Sequence, residues 1–197
     1  MDTDGEIPYH EVLKGFCTTL KGLEVRGLNE EQGQSVPIHF PLLEYLKINP
    51  TWSSHTWLVQ ATTPALCSYT ETKFCRTAQA ILHKDVKKVT HLQCWEMPQL
   101  HSFIALRVLQ LWATGATGVA EQLQRHKEIC PMLKLIEFKK TWIEIEGLNR
   151  ICLEIKVARP QVDVIIWKTW SRLPGSCYEF QVSSIEFSTL SYSSNGY

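Results

Sequence analysis

Leu43-Glu44-Tyr45-Leu46-Lys47-Ile48 carries apolar side chains at its first, fourth and sixth positions, and Leu20-Lys21-Gly22-Leu23-Glu24-Val25, twenty-three positions earlier, has the same spacing. A third copy starts at Leu66 and a fourth at Val89, each further on by that same interval. In the third, Leu66-Cys67-Ser68-Tyr69-Thr70-Glu71, a carboxylate takes the sixth position, whereas Val89-Thr90-His91-Leu92-Gln93-Cys94 keeps the pattern. The spacing then loosens. The copy Leu106-Arg107-Val108-Leu109-Gln110-Leu111 follows after a shorter interval and Leu133-Lys134-Leu135-Ile136-Glu137-Phe138 after a longer one. A last run, Val162-Asp163-Val164-Ile165-Ile166-Trp167, begins with the alternation of a strand. A fixed period of this length implies units that cannot bury their apolar face alone. Stacked, positions one, four and six share one interior, and the copies form a parallel sheet with helices on its other side. An unrelated α/β domain with evenly placed strands would have to treat three equal intervals as coincidence.

The segments between the copies fit that arrangement. Val119 to Ile129, Glu146 to Val157 and Phe74 to Leu82 have apolar residues three and four apart, as helices do. Pro41, Pro64 and Pro131 each stand just before a strand, where a helix has to end. The expected order is strand, loop, helix, strand, repeated. Equal spacing predicts that Val25, Ile48, Glu71 and Cys94 occupy corresponding places in four adjacent strands. Because a buried carboxylate needs a partner or a proton, Glu71 is expected on an irregular third strand or near an edge open to water. Residues 1–19 read as an N-terminal capping-helix region, 20–170 as the repeat array, and 171–197 as a C-terminal cap and frayed tail.

Composition narrows the function classes. Of 197 residues, 44% are hydrophobic and 20% charged, and the mean hydropathy is -0.13, enough apolar side chain for a core. Twenty Lys and Arg balance twenty Asp and Glu, so no excess of positive charge is available for nucleic acid or anionic lipid. The longest apolar stretch, Phe103 to Ala120, is broken by Arg107 and two glycines, short of a membrane span. The seven cysteines are widely spaced and odd in number, a usage that fits free thiols in a reducing compartment. The acidic start Met1-Asp2-Thr3-Asp4-Gly5-Glu6 is unlike a signal peptide, and Pro50 disqualifies the Asn49-Pro50-Thr51 sequon. The expected location is intracellular, cytoplasmic or nuclear.

Phrases such as Phe40-Pro41-Leu42-Leu43-Glu44-Tyr45-Leu46-Lys47-Ile48, Thr63-Pro64-Ala65-Leu66 and Cys130-Pro131-Met132-Leu133-Lys134-Leu135-Ile136-Glu137-Phe138 resemble a leucine-rich-repeat array. More narrowly, they resemble the degenerate repeats of fungal F-box proteins, as does the close from Gly147-Leu148 through Arg159-Pro160 to Val164. The resemblance covers roughly Leu20 to Trp167, about three quarters of the chain. It departs from the family in two ways. The asparagine that closes the usual unit is replaced by Leu28, Thr51, Phe74, Met97, Thr114 and Thr141, and the segment from Met1 to Thr19 is too short for an F-box. The fold it implies is an α/β solenoid, or horseshoe, of about six or seven units, with a parallel sheet on the concave face and helices on the convex one. The function it implies is substrate recognition for an SCF-type ubiquitin ligase, through the Skp adaptor and cullin if an F-box lies elsewhere. The competing class is a stand-alone binding or scaffold module.

Side chains alternate across a strand, so the residues between core positions face that concave surface. One column reads Arg26, Asn49, Thr72, Trp95, Trp112, Lys139 and Trp167, and the next Glu24, Lys47, Thr70, Gln93, Gln110, Glu137 and Ile165. Tryptophans beside a few charges are typical anchors of protein recognition, which makes Trp95, Gln110, Trp112, Glu137, Lys139 and Trp167 the candidate partner-binding residues. The alternative is that the C-terminal tail covers these tryptophans as ordinary core.

Catalytic and metal signatures are sparse, and no enzyme activity, cofactor or metal is expected. No G-x-S-x-G elbow, phosphate-cradling glycine loop or H-E-x-x-H occurs in the sequence. His91 and Cys94, three apart on one strand, point to opposite faces and cannot ligate together, with or without His101. Asp163 and Glu137 suit a polar rim better than an acid/base pair. Asp2 to Glu11 resembles the later half of an EF-hand loop, with Gly5 at the turn and Glu11 as bidentate ligand, which leaves a calcium-responsive protein as a remote alternative. An acidic start to a capping helix, about Tyr9 to Thr18, accounts for the same residues.

Overall fold

The computed structural model describes residues 9–26, 37–49, 60–72, 86–95, 97–112, 116–140, 145–170 and 178–182. Its strands are β1 (Gly22–Arg26), β2 (Tyr45–Asn49), β3 (Ser68–Glu71), β4 (His91–Cys94), β5 (Val108–Trp112), β6 (Leu135–Lys140), β7 (Asp163–Trp170) and β8 (Tyr178–Val182). They form one sheet in sequence order, in which β1 to β7 are all parallel and β8 runs antiparallel along β7. Helix α1 (Tyr9–Phe16) precedes the sheet, α2 (Ala116–Arg125) lies between β5 and β6, and α3 (Ile145–Ala158) between β6 and β7. The chain is thus an α/β protein with a seven-strand parallel sheet extended by one antiparallel strand.

The strand register reproduces the sequence spacing. Val25 is opposite Ile48, Ile48 is opposite Glu71, and Cys94 is opposite Leu111. The β3 and β4 pairing, Tyr69 with Leu92 and Thr70 with Gln93, keeps the same offset and brings Cys94 next to Glu71. Parallel strands need long connections, and the interval between the early copies leaves room for a strand and a return crossover.

Strands β2 to β6 each begin two residues after the first apolar residue of the copy, and β7 one residue after Val162, because that residue follows or closes a turn. The amide of Leu43 donates to Phe40 O, Leu66 to Thr63 O, Val89 to Val86 O, Leu133 to Cys130 O and Val162 to Arg159 O. Pro41, Pro64, Pro131 and Pro160 therefore sit second in these turns, where a fixed φ is preformed. Leaving the turn, two consecutive amides donate to one carbonyl of the previous unit: Glu44 and Tyr45 to Lys21 O, Cys67 and Ser68 to Glu44 O, Thr90 and His91 to Cys67 O. The pattern continues with Arg107 and Val108 on Thr90 O and with Lys134 and Leu135 on Arg107 O, and it locks each turn onto its predecessor.

Positions one, four and six point inward as expected. Leu43, Leu66, Val89, Leu106, Leu133 and Val162 are buried, as are Leu46, Tyr69, Leu92, Leu109 and Ile136, and they share one core with Val119, Leu123, Leu148, Cys152 and Ile155 of the helices. Leu13 of α1 joins that core from the β1 end. The helices near Val119 and Glu146 exist with shifted ends, α2 stopping at Arg125 and not continuing to Ile129. The helix expected at Phe74 to Leu82 lies outside the described residues.

Two expectations need correction. The connection between β4 and β5 holds a single 3₁₀ turn, Leu100–Ser102, where the repeated order called for a helix. This is the shortest interval between copies, and once strand and turn are subtracted it has no length left for an α-helix. Its place is filled from the next unit: Gln122 of α2 accepts the Leu100 amide at 2.9 Å and donates to Pro98 O at 3.2 Å. Gly118 makes room there, since a β-carbon would stand 3.1 Å from Met97 Cγ. Glu71, expected near water or on an irregular strand, is fully buried on a regular strand between Ile48 and the position of Cys94. Neighbouring strands cover both of its sides, so position in the array, not side-chain polarity, decides its exposure.

The candidate partner-binding face

Alternation leaves three columns on the sheet face away from the core. The register verifies every step of the middle one: Glu24, Lys47, Thr70, Gln93, Gln110, Glu137 and Ile165 stand opposite one another in turn. In the column that starts at Arg26, Trp112, Lys139 and Trp167 pair directly, and Trp95 follows Cys94 into the place beside Trp112. The third column, Gly22, Tyr45, Ser68, His91, Val108, Leu135 and Asp163, is missing from those read in the sequence. Extending the alternation by one more step of two residues toward each N-terminus would have found it.

All six residues proposed from sequence share this face. The rings of Trp95 and Trp112 lie 4.4 Å apart between centroids, tilted by 43°. Such a pair is worth about 0.5–1.5 kcal/mol beyond its area. Both indoles and Trp167 are half-buried, and the Trp112 Nε1 is buried with no acceptor among the described residues. Gln110 donates through Nε2 to Glu137, which is 8% exposed, and Lys139 reaches across β5 to donate to Gln93 Oε1 at 3.4 Å. Glu137 and Lys139 are therefore both held by glutamines. Trp167 has Lys139 on one side and Gln181 of β8 on the other, so part of the tail extends the sheet beside it. Whether residues 183–197 cover the face lies outside the described residues.

At the β1 end two cations share one carboxylate. Glu24 binds Arg26 at 2.9 Å and Lys47 at 3.0 Å, and these two partners, Arg26 first, hold its carboxyl below the usual carboxylate range. Thr72 donates to Asn49 Oδ1 at 2.8 Å. Between these charges and β6, the middle of the face forms a hollow of about 280 Å³, whose lining includes Tyr45, Ser68, Thr70, His91, Gln93 and Gln110.

The remaining sequence candidates disperse. His91 is exposed and Cys94 buried, on opposite faces of β4, and His101 lies in the 3₁₀ turn. Asp163 stands opposite Leu135 and binds Lys156 at 3.3 Å, while Glu137 stands opposite Ile165, so the two carboxylates form no pair. Residues 2–8 of the EF-hand-like stretch lie outside the described residues, and Glu11 falls in the first turn of α1. Among the described residues no group of three or more His, Cys, Asp or Glu could hold a metal ion, and no helix is long and apolar enough to cross a membrane. Cys17, Cys67, Cys94, Cys130 and Cys152 are free thiols.

A second feature that sequence reasoning missed is Arg159. It occupies the turn position that Phe40, Val86 and Phe103 fill elsewhere, is 7% exposed, and donates through Nη2 to His126 O at 3.1 Å and Ile129 O at 2.9 Å. It thereby satisfies carbonyls just beyond the C-terminus of α2, where a positive charge also suits the helix dipole. Cys130 beside it adopts φ 45°, a left-handed conformation, and donates its thiol to Leu100 O at 3.3 Å. The role is structural. No protein family, curated protein or solved structure matches the chain.

Proposed function

We propose that the protein is a binding module, a leucine-rich-repeat solenoid whose outward sheet face docks another protein and performs no chemistry of its own. The observation that carries this is the row of Trp95, just past the end of β4, and Trp112, Lys139 and Trp167 on β5, β6 and β7, with the first two indoles in contact. Indoles that brace each other present an apolar surface already ordered before docking, so binding costs little side-chain entropy. The solenoid itself is supported by the constant offset from β1 to β4 and by the turn-on-turn hydrogen bonds. By the F-box resemblance, the docked protein would be a substrate handed to an SCF-type ubiquitin ligase. A stand-alone scaffold is the competing role.

The test compares proteins captured by the full chain and by its Trp95→Ala and Lys139→Glu variants, each checked for folding by circular dichroism. Partners lost with both variants support the face as the docking surface. Folded variants that capture the same partners as the unmodified chain refute it. Binding to purified Skp adaptor separates the two roles, because its absence removes the ligase and leaves the module.

A further inference from the structure

We propose that the hollow on this face is a receptor for a primary carboxamide, the side chain of an asparagine or glutamine in the docked partner; this rests on the docking role proposed above. Lysine can only donate hydrogen bonds and a carboxylate can only accept them. Lys139 therefore engages the oxygen of Gln93 and leaves its Nε2 free, while Glu137 engages the nitrogen of Gln110 and leaves its Oε1 free. The two glutamines are register partners on β4 and β5, about 4.8 Å apart, and both line the hollow. Among the described residues neither free group has a hydrogen-bond partner. The hollow is thus lined, on neighbouring strands, by one residue with a free donor and one with a free acceptor.

That pair selects its ligand. A primary carboxamide presents its oxygen and one N–H on the same side and can use both groups at once, as asparagine and glutamine do toward adenine. A trans peptide group points its N–H and C=O in opposite directions and meets only one. A carboxylate has nothing to donate to Gln110, and an ammonium has nothing to accept from Gln93. Among the described residues no Lys, Arg, Asp or Glu lines the hollow to favour an ion instead.

The test titrates the full ¹⁵N-labelled chain with N-acetylglutamine N-methylamide, following the side-chain amide resonances of Gln93 and Gln110. The alanine analogue reports on main-chain amides alone and the glutamate analogue on a carboxylate. The glutamine compound should bind with a Kd of about 1 mM, a modest affinity suited to a small polar fragment, and the other two should bind at least about tenfold more weakly. Gln93→Glu keeps an acceptor for Lys139, and Gln110→Lys keeps a donor for Glu137. Each variant replaces the free amide group and also introduces one charge; the lost hydrogen bond should weaken the glutamine compound about tenfold. The proposal is overturned by the absence of saturable shifts, by equal binding of the alanine compound, or by unchanged binding in both variants. Failure of the docking role itself would be seen separately, as captured partners indifferent to Trp95→Ala, since Trp95 does not line the hollow.

Discussion

Replacing Trp112 by phenylalanine should stabilise the protein, although the ring is part of the proposed binding surface. The indole Nε1 is buried with no acceptor among the described residues, and a buried unsatisfied N–H costs about 1–3 kcal/mol. Phenylalanine removes that donor but gives up part of the indole, about 40 Å² of half-buried surface, or about 0.5 kcal/mol. The balance is a gain of about 1 kcal/mol, which raises Tm by about 2–4 °C in a chain of this size. Trp112→Ala should behave differently. A fully buried aromatic costs about 3–5 kcal/mol to truncate; half-burial brings this to about 2, and the lost contact with Trp95 adds about 1. Relief of the buried N–H offsets about 1, leaving a net loss of about 2 kcal/mol. Alanine is therefore a poor probe of binding alone, and phenylalanine the better one. Urea unfolding of the two variants and of Trp95→Ala, with the Trp95/Trp112 double-mutant cycle, reads these values directly. A Trp112→Phe variant less stable than the parent by more than about 1 kcal/mol would mean that the indole N–H is bonded in the folded state. A coupling energy near zero would mean that the two rings do not support each other.

Arg159→Ala should cost about 3–4 kcal/mol in urea unfolding, because it strips two charge-assisted hydrogen bonds from buried carbonyls. Arg159→Met should recover at least half of that, since Phe40, Val86 and Phe103 hold the equivalent positions elsewhere; equal loss in both variants would contradict this. Burial pushes the Cys130 thiol up to about 12 and the Cys152 thiol to about 11, and Cys94 well above the usual thiol range through burial and then the charge of Glu71. The unfolded thiols ionise first as pH rises past 9, so the unfolded state binds fewer protons there, and stability should fall between about pH 9 and 12. At about pH 8, mass-mapped alkylation should reach Cys17 and Cys67 well before these three. Gly147 lies in α3, and a β-carbon added there would meet nothing within 4 Å, so Gly147→Ala should raise stability by about 0.5 kcal/mol in thermal melts.

Sequence alone determined which strands are equivalent and which side chains share a face. Both follow from local periodicities: a constant offset aligns Val25 with Ile48 and Glu71, and alternation sends Gln93 and Trp95 away from Leu92 and Cys94. Neither depends on what surrounds a residue. What only the tertiary structure decided does depend on it. Glu71 is buried because strands flank it on both sides, whatever its polarity. The shortest unit has a 3₁₀ turn because Gln122 from the following unit completes it. Arg159 is drawn inward by carbonyls distant in sequence, and Gln93 and Gln110 take opposite amide orientations because Lys139 and Glu137, on a strand further along the chain, demand opposite partners. Periodicity fixes a side chain's direction, but its hydrogen-bond partners are set by neighbours far apart in the chain and close in space.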